Sequence, residues 1–202
     1  MIRRPIVCVA GGGAAADAVC ELAREVGRRL GAAGALLLCG GRGGVMEAAA
    51  RGAHEGGGRT IGVLPYAPGE GEANRFIDCA LSTGLGDGRN YVNARAADVL
   101  IALRGGPGTL SEIALAYKVG VPVVFLDAWH FLTGRPELGG TPAVAAPSPA
   151  AAVAEACRLI GWVPGRPFER PLAYPEMPDQ SAAREQLRRF VGDQGSPTSA
   201  WP

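Results

Sequence analysis

The sequence predicts a doubly wound α/β fold, a mostly parallel sheet with helices on both faces, and three observations predict it. Short apolar runs recur between helical stretches. Those runs are hydrophobic almost throughout rather than alternating, as strands covered on both faces are. Glycine-rich turns stand where strands pass into helices, the punctuation of βαβ units. A chain of 202 residues suits one such domain, large enough to bury a core without staples.

The apolar run at 6–10 is the first strand, and the turn Gly11-Gly12-Gly13 leads from it into a helix over 16–30. A second run at 35–39 is followed by Gly40 to Gly44 and a helix over 45–55, and runs at 60–64 and 76–81 complete one half. After a helix over 89–97 come a fifth strand at 99–103, a helix over 109–119 and a sixth strand at 121–126. In the helix over 109–119, Leu110, Ile113, Ala114 and Tyr117 have the i, i+3, i+4, i+7 spacing of one buried stripe. Gly120 stands where a glycine ends a helix. The Gly/Pro-rich connection that follows holds only a weak strand candidate around Val144, before a helix over 148–160. Beyond Trp162 the sequence turns Pro-rich and charged. The expected division is a Rossmann-like domain over 1–162 and an appendage over 163–202, with a short helix at 181–190 and a disordered end.

Composition narrows the function. The net charge of +1 arises from 20 basic and 19 acidic residues spread along the chain, which leaves no basic face for a nucleic-acid backbone. All the basic residues but Lys118 are arginine, in keeping with the Ala, Gly and Pro richness of GC-rich coding. Cys8, Cys20, Cys39, Cys79 and Cys157 have no CxxC spacing and mostly sit in apolar runs, so buried reduced thiols are expected. The first apolar run is too short for a signal peptide and nothing approaches the ~20 apolar residues of a membrane span. A cytoplasmic protein with no membrane partner is therefore expected. His54 and His130 have no companion at metal-ligand spacing, and no G-x-S-x-G elbow occurs.

In a doubly wound sheet ligands bind beyond the carboxyl ends of the strands, so the turns there carry the functional reading. Gly11-Gly12-Gly13-Ala14-Ala15-Ala16 matches the relaxed dinucleotide pattern G-x-G-x-x-A. A dinucleotide site also wants a carboxylate about 20 residues on, and none stands between Glu25 and Glu47, which argues against NAD. Gly40-Gly41-Arg42-Gly43-Gly44-Val45-Met46 lets the backbone approach a ligand but lacks the Lys-Ser/Thr of a Walker loop. Arg104-Gly105-Gly106-Pro107-Gly108-Thr109-Leu110 joins exposed amides to a helix start, a ready anion site. A phosphate is expected on amides between Gly105 and Leu110 and from Gly40 to Gly44. Thr109 and Glu112 are also spaced as a capping box, so Glu112 either caps the helix or faces the ligand.

Gly40-Gly-Arg-Gly-Gly-Val-Met46, Ser82-Thr-Gly-Leu-Gly-Asp-Gly-Arg-Asn90 and Gly105-Gly-Pro-Gly-Thr-Leu-Ser-Glu112 together resemble the LONELY GUY-like proteins, once misnamed lysine decarboxylases. The resemblance spans 6–126, and its Gly-Arg-Asn and Leu-Ser-Glu segments are most similar to the branch of molybdenum-cofactor carrier proteins. It implies a carrier or sensor for a phosphate-bearing small molecule, an AMP-like nucleotide or the pterin-based molybdenum cofactor, held by the glycine turns with Asn90. It also implies a homodimer or homotetramer built through helices flanking the site.

The alternative is a nucleoside 5'-monophosphate phosphoribohydrolase. In the family's hydrolase branch, an arginine in a Met-His-Glu-Arg-Lys helix and the glutamate of Pro-Gly-Gly-x-Gly-Thr-x-x-Glu release the base and ribose 5-phosphate. Arg89 and Glu112 occupy those positions by their spacing from the strand at 99–103, and would be catalytic. The chemistry is sound, because N-glycosidic cleavage builds positive charge on the ribose that a carboxylate stabilises. Here, however, Gly-Asp-Gly-Arg-Asn replaces the histidine-containing helix start and Arg104 stands in place of a proline, which favours the carrier. Otherwise Arg89 reads as a surface helix residue pairing with Asp87 or a neighbour; Asn90, Asn93, Arg42 and Arg104 are further candidates to line the pocket. Pyridoxal chemistry has no support, since the one lysine, Lys118, lies beyond the turn on its helix.

Overall fold

The structure is a computed structural model and describes residues 2–129 and 140–169. Its strands are β1 (Ile2–Arg3), β2 (Ile6–Ala10), β3 (Leu36–Cys39), β4 (Arg59–Leu64), β5 (Cys79–Ser82), β6 (Val99–Ala102), β7 (Val123–Leu126), β8 (Ala143–Ala146) and β9 (Phe168–Glu169). Its α-helices are α1 (Asp17–Ala33), α2 (Val45–Glu55), α3 (Arg89–Ala96), α4 (Pro107–Lys118) and α5 (Pro149–Leu159). β2 to β8 form one seven-stranded parallel sheet in the order β5-β4-β3-β2-β6-β7-β8, so the doubly wound fold is as expected. The chain runs outward from β2 to β5, then returns to lay β6 against the other side of β2. This reversal makes the gap between β2 and β6 the switch point, where such folds open a crevice.

All six expected strands form, and the weak candidate around Val144 is a seventh, β8. The fourth starts at Cys79 rather than at residue 76, because Phe76 and Asp78 are engaged elsewhere. The Phe76 amide donates to Asn74 Oδ1 at 3.0 Å, and Asp78 Oδ2 accepts from the Thr60 amide at 2.8 Å. Near the opposite end of the chain, β9 returns to pair with β1. The helix expected at 181–190, the terminal segment and His130 lie outside the described residues.

Successive residues of the inner strands alternate between two cores, while β5 at the edge is exposed throughout. Val7, Val9, Leu37, Val99 and Ile101 pack with α1, α2 and α5 on one face. Cys8, Ala10, Leu38, Leu100 and Phe125 pack with α3 and α4 on the other. Both faces are covered, which is why the runs read as continuous apolar sequence. Among the thiols, Cys8 and Cys39 are buried as expected, but Cys79 is exposed because β5 is an edge strand. All five are free. Among the described residues no helix is long and apolar enough to cross a membrane.

Two packing features depart from the sequence reading. In α4 the buried residues are Thr109, Glu112, Ile113, Ala116 and Tyr117, whereas Leu110 and Ala114 face outward. The helix starts at Pro107 with Gly106 as its N-cap, and its contact with α3 draws the polar Glu112 inward. The second feature is a close contact of α1 with α2 through glycine. A Cβ on Gly27 would overlap the Ala49 carbonyl, one on Gly52 the Arg24 carbonyl, and one on Gly56 the Arg28 carbonyl.

Candidate functional site

The three glycine turns meet at the carboxyl edge of the sheet, on either side of the switch point. The Gly12 amide donates to the Arg104 carbonyl at 2.9 Å, and the Val45 amide donates to the Gly12 carbonyl at 3.0 Å. These two bonds tie the first turn to the third and the second to the first. Their glycines divide into two kinds. Gly11, Gly12, Gly40, Gly41, Gly44 and Gly105 are small because neighbouring chain occupies the space of a side chain. On Gly11 it would strike Val45, on Gly105 the Thr109 side chain, and on Gly44 the Gly12 carbonyl. Gly44 also has φ 63°, in the left-handed region that excludes most other residues. Gly106 is different, with no atom within 4 Å of where a Cβ would stand, and a Cβ on Gly108 would meet only Asn90 at 4.0 Å.

The amides of Gly106, Gly108 and Thr109 have no hydrogen-bond partner among the described residues, as the first turn of a helix requires, and neither has that of Gly105 just before it. They stand at the positive end of the α4 dipole. In the second turn the amides of Gly43 and Gly44 likewise have no partner among the described residues, whereas the other candidates there are engaged. Val45 and Met46 are buried in the core, and Val45 has already given its amide to Gly12. Arg42 is exposed, its carbonyl accepting from Asn74 Nδ2 at 2.8 Å.

Arg89 and Glu112 come together. Arg89 Nη1 donates to Glu112 Oε1 at 3.3 Å, with side chains only 11% and 7% exposed. The guanidinium also lies over Gly40, where any side chain would displace it, so it links the second turn to the helix after the third. Asn93 Nδ2 donates to the same Glu112 oxygen at 2.7 Å, while Asn93 Oδ1 is buried without a partner. Asn90 donates to Ser111 Oγ at 2.7 Å and so latches α3 to the start of α4. The alternative roles given to these residues fail. Arg89 is no surface partner of Asp87, and no capping box forms, because Thr109 and Glu112 lie inside a helix capped at Gly106.

Burial pushes the Glu112 carboxyl above its ordinary value of 4.5, outweighing the Asn93 bond and the Arg89 charge that pull it down. A raised folded value means that this group's contribution to stability is full below the unfolded value and is lost as pH rises through the folded one. The urea midpoint of the wild type, measured relative to Glu112→Gln, should therefore decline as pH rises from about 4.5. A flat difference would show that Glu112 is solvated.

Beside this cluster, above the carboxyl ends of β6, β7 and β8, opens a cavity of about 750 Å³. Ala14, Ala15 and Ala16, Gly105 and Gly106, Phe125, Asp127 and Trp129 are among its walls. Arg89 and Glu112 do not line it. The third turn thus stands between a buried ion pair and an open cavity. Arg104, a candidate from the sequence, lines the cavity and pairs with Asp127 at 2.9 Å. Phe125, Asp127 and Trp129 escaped sequence reasoning, since nothing in their spacing marks them. Among the described residues no group of three or more His, Cys, Asp or Glu is placed to hold a metal.

The profile of the SLOG cluster4 family matches residues 4–158. The chain belongs to the SLOG cluster4 family. This SLOG protein is similar to solved structures: the molybdenum cofactor binding protein of Rippkaea orientalis is 36% identical, with a TM-score of 0.71, covering 78% of this chain and 98% of that one. The molybdenum cofactor carrier protein of Chlamydomonas reinhardtii is 38% identical, again with a TM-score of 0.71, covering 79% and 99%. A cytokinin riboside 5'-monophosphate phosphoribohydrolase of Mycobacterium tuberculosis is 35% identical over 129 residues, 59% of this chain and 69% of the relative. The LONELY GUY-like resemblance, with the carrier branch nearest, is thereby borne out.

Proposed function

We propose that this SLOG protein is a cytoplasmic carrier or sensor that binds a phosphate-bearing, nucleotide-like or pterin-like molecule. The observation that carries the reading is the third turn: four unengaged amides at the start of α4, at the switch point, of which those of Gly105 and Gly106 border a cavity large enough for a flat ring system. A phosphorylated pterin needs an anion site and a slot for its ring, and the amides of Gly105 to Thr109 and the adjacent cavity fit both needs. The molybdenum cofactor, after which the two structural relatives are named, is therefore a ligand the residues fit, and an AMP-like nucleotide is the other.

The phosphoribohydrolase reading has one observation in its favour, the Arg89–Glu112 pair, and the mycobacterial relative beside it. Against it, Glu112 is buried, bonded to Asn93 and Arg89, and absent from the cavity wall. Calorimetry with AMP, GMP and a pterin monophosphate, each beside its unphosphorylated form, tests the proposal, with free base assayed in parallel. Binding should weaken by about tenfold or more without the phosphate, with no base released. Rapid release of adenine from AMP, abolished in Glu112→Gln, would establish the hydrolase instead.

Self-association belongs to the same reading. Leu81 on β5, Leu85, Tyr91 on α3 and Leu110 on α4 are large apolar side chains left exposed around the Arg89 segment. Light scattering should report a particle two or four times the 20.7 kDa chain mass, and Tyr91→Glu should reduce it. A 20.7 kDa particle at high protein concentration would refute this.

A further inference from the structure

We propose that Asp127 selects the ring of the ligand, favouring a 2-amino-4-oxo heterocycle of the guanine or pterin type over an adenine type; this rests on the ligand-binding reading above. Asp127 follows β7 and lines the cavity. It is the one non-glycine residue with positive φ among the described residues, at 51°. Backbone in that region is uncommon outside glycine and gathers at ligand sites, although aspartate tolerates it better than most residues. Here the conformation coincides with three other features of the same place.

Arg104, from the turn after the neighbouring strand β6, donates Nη2 to Asp127 Oδ1 at 2.9 Å, fixing the carboxylate at the cavity wall. Oδ2 receives no bond among the described residues, and the side chain is 37% exposed, so one acceptor oxygen remains available. The walls around it are flat and apolar. Ala14, Ala15 and Ala16 contribute methyl groups, Phe125 lines the cavity while its ring is packed in the core, and Trp129, 47% exposed, is the aromatic side chain open to stacking. The open edge of the third turn, Gly105 and Gly106, belongs to the same wall, so a phosphate on its amides and a ring in the cavity can belong to one ligand.

A slot of this kind with a single carboxylate is chemically selective. Guanine and pterin each present a ring N–H beside an exocyclic amino group, two donors side by side; one can meet the free Oδ2 and the other the second lone pair of Oδ1. Adenine presents a donor beside a ring acceptor, and that acceptor's lone pair would face the Asp127 oxygen. A carboxylate can only accept, so it gains bonds from a ligand that presents donors and repels one that presents a lone pair at the same place.

The test is a titration of wild type and Asp127→Asn with GMP, AMP, a pterin monophosphate and inorganic phosphate, read by calorimetry and by Trp129 fluorescence against a Trp129→Phe control. Asparagine adopts positive φ at least as readily as aspartate, so the fold should survive, which thermal melting checks. Wild type should bind GMP and the pterin monophosphate about 10- to 100-fold more tightly than AMP. In Asp127→Asn the ratio should fall toward one while inorganic phosphate binds unchanged. Equal affinity of the wild type for GMP and AMP, or an unchanged ratio in the variant, would overturn the role of Asp127 while leaving the phosphate site standing. Failure of every phosphorylated compound to bind would overturn both.

Discussion

Gly52→Ala should destabilise the protein by about 3 kcal/mol or more, although glycine to alanine inside a helix ordinarily gains about 1 kcal/mol. The sign reverses because of what the new methyl group meets. Gly52 lies in the middle of α2, and its missing Cβ would fall within the radius of the Arg24 carbonyl oxygen on α1. That oxygen belongs to a helix backbone, so no rotamer change relieves the overlap; the helices must separate. Separation would also loosen Gly27 against the Ala49 carbonyl and Gly56 against the Arg28 carbonyl, the neighbouring contacts of the same interface. For a domain of this size the loss corresponds to a fall in Tm of roughly 6–12 °C, measurable by calorimetry. Gly106→Ala is the control, since its Cβ meets no atom within 4 Å. If Gly52→Ala melts within a degree or two of the wild type, α1 and α2 are not in backbone contact.

That interface shows where sequence reading stops. The six apolar runs are legible as strands because a sheet covered on both faces removes the need for alternation. The turns are legible because a strand, two or more glycines and a helix follow one another. The glycines of this contact, Gly27, Gly52 and Gly56, are not, because their positions show nothing until the helices are known to face each other. The phase of α4 departs from its sequence pattern for a local reason. Leu110, Ile113, Ala114 and Tyr117 form a plausible apolar stripe, but the Asn93 and Arg89 side chains of α3 draw Glu112 inward and leave Leu110 at the surface. The pairing of Arg89 with Glu112 joins residues 23 positions apart, and the family motifs, not periodicity, place them in one site. The cavity is beyond reach, because its walls come from residues near 15, 105, 127 and 145. Only the strand order, with β6 beside β2 and β7 and β8 beyond it, brings those segments to one edge.

Some of the turn glycines are small for the fold and others for a ligand. Gly106→Val should leave the melting temperature nearly unchanged yet weaken binding of a phosphorylated ligand by about 100-fold, or about 2.7 kcal/mol. Gly106 has φ −103° and ψ −159°, extended backbone open to any residue, and nothing stands where its side chain would go. The new branches would instead project beside the unengaged amides of the third turn, at the edge of the cavity that Gly106 lines. A phosphate gains from those amides and the α4 dipole only at hydrogen-bond distance, so a bulky group that holds it off removes both contributions. Gly105→Ala provides the opposite case. Its Cβ would overlap the Thr109 side chain and crowd the Gly12 amide, so it should lower the melting temperature by pushing the first and third turns apart. Calorimetric binding and thermal melting of the two variants separate the roles: Gly106→Val loses affinity and keeps its fold, and Gly105→Ala loses stability first. Unchanged affinity in a folded Gly106→Val would remove the phosphate from the third turn.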